Sequence, residues 1–140
     1  LLALTEERRP AGCVSLNGPG AWLRPWPGMD PQIRAAVEHL TAGDYATASP
    51  AHHLSGGDQT AASPAHHVVT GNHPPMLFVV GGKERYFPHE HVRELSALLP
   101  GSRVVLLPDA EHGFFYDPDS GESAAAQAEI DAFIAAAPPG

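Results

Sequence analysis

The chain has 140 residues, and its 8 Lys and Arg stand against 16 Asp and Glu for a formal net charge of −8. That length suits one domain burying roughly two-thirds of its unfolded surface, and scattered basic residues in an acidic chain leave no electrostatic footprint for nucleic acid or an anionic membrane. The single cysteine, Cys13, excludes an intrachain disulfide or a cysteine-based zinc cluster, and its place in an apolar run reads as a buried structural thiol. No run approaches the ~20 apolar residues that span a bilayer. The first residues lack a signal peptide's basic segment and cleavage site, which leaves the compartment open with the cytoplasm favoured.

Residues 1–9, LLALTEERR, run from apolar to charged and stop at Pro10, as a helix does when arginines face the negative end of its dipole. Because the sequence opens on Leu1 inside this helix, the natural start is expected upstream. Ala11 to Leu16 reads as a short strand ended by the turn Asn17-Gly18-Pro19-Gly20. Residues 19–31 hold Trp22, Trp26 and four prolines, which predicts an irregular loop. Its tryptophans either anchor the loop or line an acyl pocket. Asp30-Pro31 then supplies an N-cap and a first-turn proline for a helix through about Leu40, with Ile33, Val37 and Leu40 on one face.

Residues 43–75 are rich in Gly, Ala, Ser, Thr, Pro and His and poor in large apolar side chains, so they read as a long loop or lid outside the core. They contain a duplication, ASPAHH at 48–53 and again at 62–67, too short to build a repeat architecture. Met76 to Val80 is continuous and apolar, as a strand buried on both faces of a parallel sheet should be. Pro88 to Leu99 predicts a helix with Val92, Leu95 and Leu99 on its inner stripe, and Val104 to Leu107 a second buried strand. Glu122 to Ala137 is an alanine-rich helix turning Ile130, Phe133 and Ile134 inward. Strands alternating with helices at these lengths indicate an α/β fold, a three-layer parallel sheet with flanking helices and strands in sequence order. The expected organisation is one domain, with 19–75 an irregular insertion and 76–137 a βαβα unit.

That unit carries the chemistry. Open α/β sheets place their sites in the loops at the carboxyl ends of the strands. Glu84 follows one strand and His112 follows the next, so both fall at the same end. A carboxylate there can hold an imidazole Nδ1–H, fix its tautomer and stabilise the imidazolium formed when Nε2 takes a proton. Asp109 and Glu111 are nearer to His112 in sequence, but adjacency on one loop orients an imidazole poorly, and they stand in reserve. His52, His53, His66, His67, His89 and His91 raise a metal site, yet no cysteine joins them and no helical His-x-x-x-His with a Glu base occurs. Neither a metal nor a cofactor is expected.

These residues also carry a family resemblance. PPMLFVVGGKERYFP resembles the strand and turn that bear the acid in α/β-hydrolases, a pattern usually written P-x-L-x-x-x-G-x-x-D-x-x-x-P. LLPDAEHGFFYD resembles their final strand and histidine loop, most like esterases and lipases of the dienelactone-hydrolase and hormone-sensitive-lipase-like groups. The second ASPAHH with HPPM looks like the segment leading into the acid strand. Counting back from Pro88 places Glu84 where the family has Asp. The resemblance implies a serine hydrolase acting on a small-molecule ester, with Glu84 and His112 as acid and base. No G-x-S-x-G nucleophile elbow occurs in the chain, and the resemblance places it shortly before Leu1. The chain is therefore expected to be the C-terminal half of such a fold, silent by itself and marginally stable, with the strand at 11–16 left as an open edge. A non-catalytic α/β module, either a degenerate hydrolase or a binding domain that uses the same cleft, is the other reading. The oligomeric state is not legible.

Overall fold

A computed structural model describes residues 10–54 and 73–136. Three parallel strands form the sheet: β1 (Cys13–Leu16), β2 (Met76–Gly81) and β3 (Arg103–Leu107), side by side in sequence order as the βαβ pattern predicts. Cys13 pairs with Met76 and Leu16 with Val79, while Leu77 pairs with Arg103 and Gly81 with Leu107. The carboxyl ends of β2 and β3 therefore finish level, and the loops that follow them start from the same edge.

Every residue of β2 is buried, and the pleat divides its apolar run between two layers. Met76, Phe78 and Val80 face a cluster with Ala21, Ala51, Val92, Leu95 and Leu99. Leu77 and Val79 face the other way, toward Ala110, Phe114 and Ala126. The first layer is closed by α4 (His89–Ala97), which crosses from β2 to β3, and the second by α5 (Gly121–Ala136). An apolar strand with no polar alternation is thus the middle of a helix, sheet and helix sandwich.

Ahead of β2, α1 (Pro31–Thr41) starts where the sequence signals it. Asp30 accepts from the amides of Gln32 at 2.8 Å and Ile33 at 3.2 Å, with proline opening the first turn. Two short helices follow, α2 (Tyr45–Ala48) and α3 (Pro50–Leu54). No helix among the described residues is long and apolar enough to cross a membrane.

Four expectations are corrected. Of the stretch expected to be loop or lid, 45–48 and 50–54 are short helices, and the second joins the core because its small residues let backbones approach: Ala51 is buried and its amide donates to the Ala21 carbonyl at 2.9 Å. Residues 55–72, including the second ASPAHH copy, lie outside the described residues, as does the expected helix at 1–9. β3 is an edge strand rather than a buried one, with Leu106 43% exposed, since among the described residues it has a neighbour only on the β2 side. Leu40 and Ile134 point to solvent at 79% and 62% exposure, and Val37 with Thr41, and Ile130 with Phe133, carry the inner faces instead. The helix expected over 88–99 is shorter, with Leu99 still in the core just past its end. β1, too, pairs only with β2 among the described residues, so its far edge is open there. Cys13 on β1 is a free thiol packed against the first core cluster, and burial pushes its pKa up.

Candidate active site

β2 ends at Gly81 and turns through Gly82 and Lys83 to Glu84, while β3 ends at Leu107 and runs through Pro108 to His112. Backbone bonds lace these two loops together: the Gly82 amide donates to the Leu107 carbonyl at 2.7 Å and the Lys83 amide to the Ala110 carbonyl at 2.9 Å. Such close approach requires glycine. A Cβ on Gly81 would press into the Ala110 carbonyl, and one on Gly82 into that of Pro108.

The docking brings Glu84 and His112 together. His112 Nδ1 lies 2.6 Å from Glu84 Oε2, in the range of a charge-assisted hydrogen bond. Glu84 has no exposed side-chain surface, whereas His112 keeps 31% of its own. The other carboxylate oxygen, Oε1, accepts from the amides of Tyr86 at 2.6 Å and Phe87 at 3.3 Å. Glu84 therefore folds over its own turn and spends its second oxygen on the imidazole. With Nδ1 committed, Nε2 is the ring nitrogen left for proton transfer. Tyr86 packs edge-on against the His112 ring with centroids 4.7 Å apart, and Phe87 tilts against it at 5.9 Å.

The reserve acids are engaged elsewhere. Asp109 pairs with Lys83 Nζ at 3.1 Å and Glu111 with Arg85 at 3.9 Å, all four side chains being more than half exposed. Of the tryptophans, Trp22 anchors its loop by donating to Glu94 at 2.7 Å, while Trp26 lies beside Phe87 at 6.1 Å and meets His91 edge-on at 5.4 Å. Trp26 is thus the one that extends the aromatic surface next to His112. Among the described residues no group of three His, Cys, Asp or Glu side chains is placed to hold a metal ion. His66 and His67 lie outside the described residues.

A solved structure of an α/β hydrolase superfamily protein from Enterococcus faecalis aligns with 89% of this chain at a TM-score of 0.56 and 11% identity. The fold is that of an α/β hydrolase. At this identity the likeness is one of fold alone, and the chain spans 54% of that protein's length. No family model matches the sequence, and no curated protein does either.

Within this hydrolase-type sheet, two residues shape the site that sequence reasoning passed over. His89, counted among possible metal ligands, puts Nε2 2.7 Å from the Gly81 carbonyl oxygen and so tethers the end of β2 to the start of α4. Asn17, read as an ordinary turn residue, is only 2% exposed. Its Oδ1 accepts from the Gly81 amide at 2.7 Å, and its Nδ2 donates to the carbonyls of Glu111 at 3.1 Å and His112 at 2.7 Å. The one sequence signal for it was position: a polar residue immediately after a strand, at the edge where the site had to lie.

Proposed function

We propose that this chain supplies the acid and the base of a serine hydrolase that cleaves carboxylic esters, with Glu84 orienting His112. The observation that carries the reading is the 2.6 Å contact between His112 Nδ1 and Glu84 Oε2 at the carboxyl edge of a parallel sheet. Nε2 then takes the proton of a serine hydroxyl as it attacks the ester carbonyl, and later returns it to the leaving alcohol. The buried carboxylate keeps the imidazole in the tautomer that allows this and stabilises the imidazolium between the two steps. The reading assigns the serine and its oxyanion hole to a segment outside these 140 residues, since no G-x-S-x-G elbow is present. The sequence resemblance favours the esterase and dienelactone-hydrolase side of the fold family, and the ester is a small molecule.

The test compares the 140-residue chain with the product of its whole gene, using p-nitrophenyl acetate and a fluorophosphonate probe. The longer protein is expected to turn over the ester and to take the probe on a serine, both depending on His112, and the shorter chain to do neither. His112-dependent hydrolysis by the 140 residues alone would overturn the assignment of the serine. A whole gene product that takes no probe where a control esterase does would make this a non-catalytic module.

A further inference from the structure

We infer that Asn17 is a positioning residue for His112: a single buried amide, just past the end of a third strand, fixes the backbone on both sides of the histidine and ties it to the strand that leads to the acid. This rests on the hydrolase reading for its consequence, but the geometry stands independently. The Glu111 carbonyl belongs to the peptide group before the His112 Cα and the His112 carbonyl to the peptide group after it. Peptide groups are rigid planes. Holding one oxygen of each, at 3.1 and 2.7 Å from Nδ2, therefore restricts both φ and ψ of His112 and aims its Cβ.

The same side chain works in the other direction. Its Oδ1 takes the Gly81 amide at 2.7 Å, three residues before Glu84, and its own amide donates to the Val79 carbonyl at 3.0 Å. Asn17 is thus pinned to β2 and measures the His112 loop from there. The orientation of the amide is forced, because Gly81 N–H can only donate and both carbonyls can only accept. Asn17 also stands at φ 44°, in the left-handed region.

Few residues can meet all these demands. Aspartate offers the acceptor for Gly81 but would turn a carboxylate oxygen on two carbonyls. Serine has one donor for two acceptors, and glycine keeps the backbone angle with no side chain. Asparagine tolerates the left-handed region and has one acceptor and two donors. Asn17 is 2% exposed and its bond from the Gly81 amide is buried, so that amide has no ready substitute in water.

Asn17→Gly, which keeps the turn, and Asn17→Asp, which keeps the shape, are made in the whole gene product, with folding checked by circular dichroism. Two readouts are taken: the low-field proton resonance of His112 Nδ1–H, assigned by its loss in Glu84→Gln, and the steady-state constants for p-nitrophenyl acetate. Both folded variants are expected to lose or broaden the resonance. Their kcat is expected to fall by up to roughly 10²-fold, the cost of misplacing a catalytic group by about 1 Å, with little change in KM. A folded variant that keeps the resonance and kcat of the unaltered protein refutes the inference, as does a resonance missing before any substitution. If the resonance responds to Asn17 but the unaltered protein cleaves no ester, the positioning role stands and the hydrolase reading falls.

Discussion

A double-mutant cycle on Glu84 and His112 puts the contact at the centre of the site to a thermodynamic test. Glu84→Ala removes the acceptor of three N–H groups: Tyr86 at 2.6 Å, His112 Nδ1 at 2.6 Å and Phe87 at 3.3 Å. A hydrogen bond to a charged group contributes about 1.5–3 kcal/mol, and the longer Phe87 contact less. Since the ring of His112 keeps 31% exposure, water can enter the space and recover part of the loss, so a net cost of about 2–4 kcal/mol is expected. His112→Ala leaves Glu84 both bonds to its own turn but removes the charged-group bond to Nδ1, and should cost about 1.5–3 kcal/mol. If the pair is formed in solution the two losses overlap, and the cycle should return a coupling of about 1.5–3 kcal/mol. Urea unfolding at one fixed pH, followed by the fluorescence of Trp22 and Trp26, measures all four proteins. A coupling below about 0.5 kcal/mol, the scatter of independent sites, would show that the carboxylate does not orient the imidazole and would remove the basis of the functional reading.

Gly81→Ala should cost about 1–3 kcal/mol or more by overpacking, because the new methyl group meets the Ala110 carbonyl and lies 3.0 Å from that of Glu111. The same unfolding assay should show it, with His112 Nδ1–H lost alongside. Asp44 caps α2 by accepting from the Thr47 amide at 3.1 Å, and that bond lowers its pKa. A carboxyl group depressed in the folded state contributes stability above its unfolded pKa and loses it as pH falls through the folded value. Asp44→Asn, which keeps a capping oxygen without a charge, should therefore flatten the acid limb of a stability-against-pH curve and leave neutral pH nearly unchanged. Leu40→Lys should change stability by no more than about 0.5 kcal/mol, since Leu40 is 79% exposed. Glu84→Asp should leave the chain folded but weaken or abolish the His112 Nδ1–H resonance.

Legibility in the sequence followed the range of the interactions. β2 announces itself because burial on both faces demands an unbroken apolar run, and Met76 to Val80 supplies it. The meeting of Glu84 with His112 was readable because parallel strands put successive loops at one edge, so two local motifs sufficed. Periodicity failed where it had to name a partner. It marked Leu40 and Ile134 as apolar stripe positions but could not show that nothing described covers them, and it could not tell a central strand from an edge, as β3 shows. Small residues misled in the opposite sense: Ser49 and Ala51 look like loop and are buried because little side chain stands between their backbones and the core. Asn17 was illegible for a third reason. Its side-chain partners lie 64 to 95 residues away, and no local pattern encodes an amide whose demands arise only once three segments have met.

The length of the acid also finds its explanation in the turn. A carboxylate that had only to reach His112 could be either Asp or Glu, placed by the loop. Here the group has two duties, since Oε1 closes the turn onto the Tyr86 amide while Oε2 lies 2.6 Å from the imidazole. Asp at this position could accept from amides two and three residues on, as Asp side chains commonly do in turns. Its chain is shorter by one carbon–carbon bond, about 1.5 Å, and an oxygen held on the turn would then stand roughly 4 Å from Nδ1, outside hydrogen-bonding range. The extra methylene of Glu84 lets one carboxylate serve turn and histidine together. Burial of the whole side chain keeps water from competing for either oxygen. Glu at this position is consequently compatible with an oriented imidazole, provided that the β2 turn stays clamped to the His112 loop through Gly81, Gly82 and Lys83.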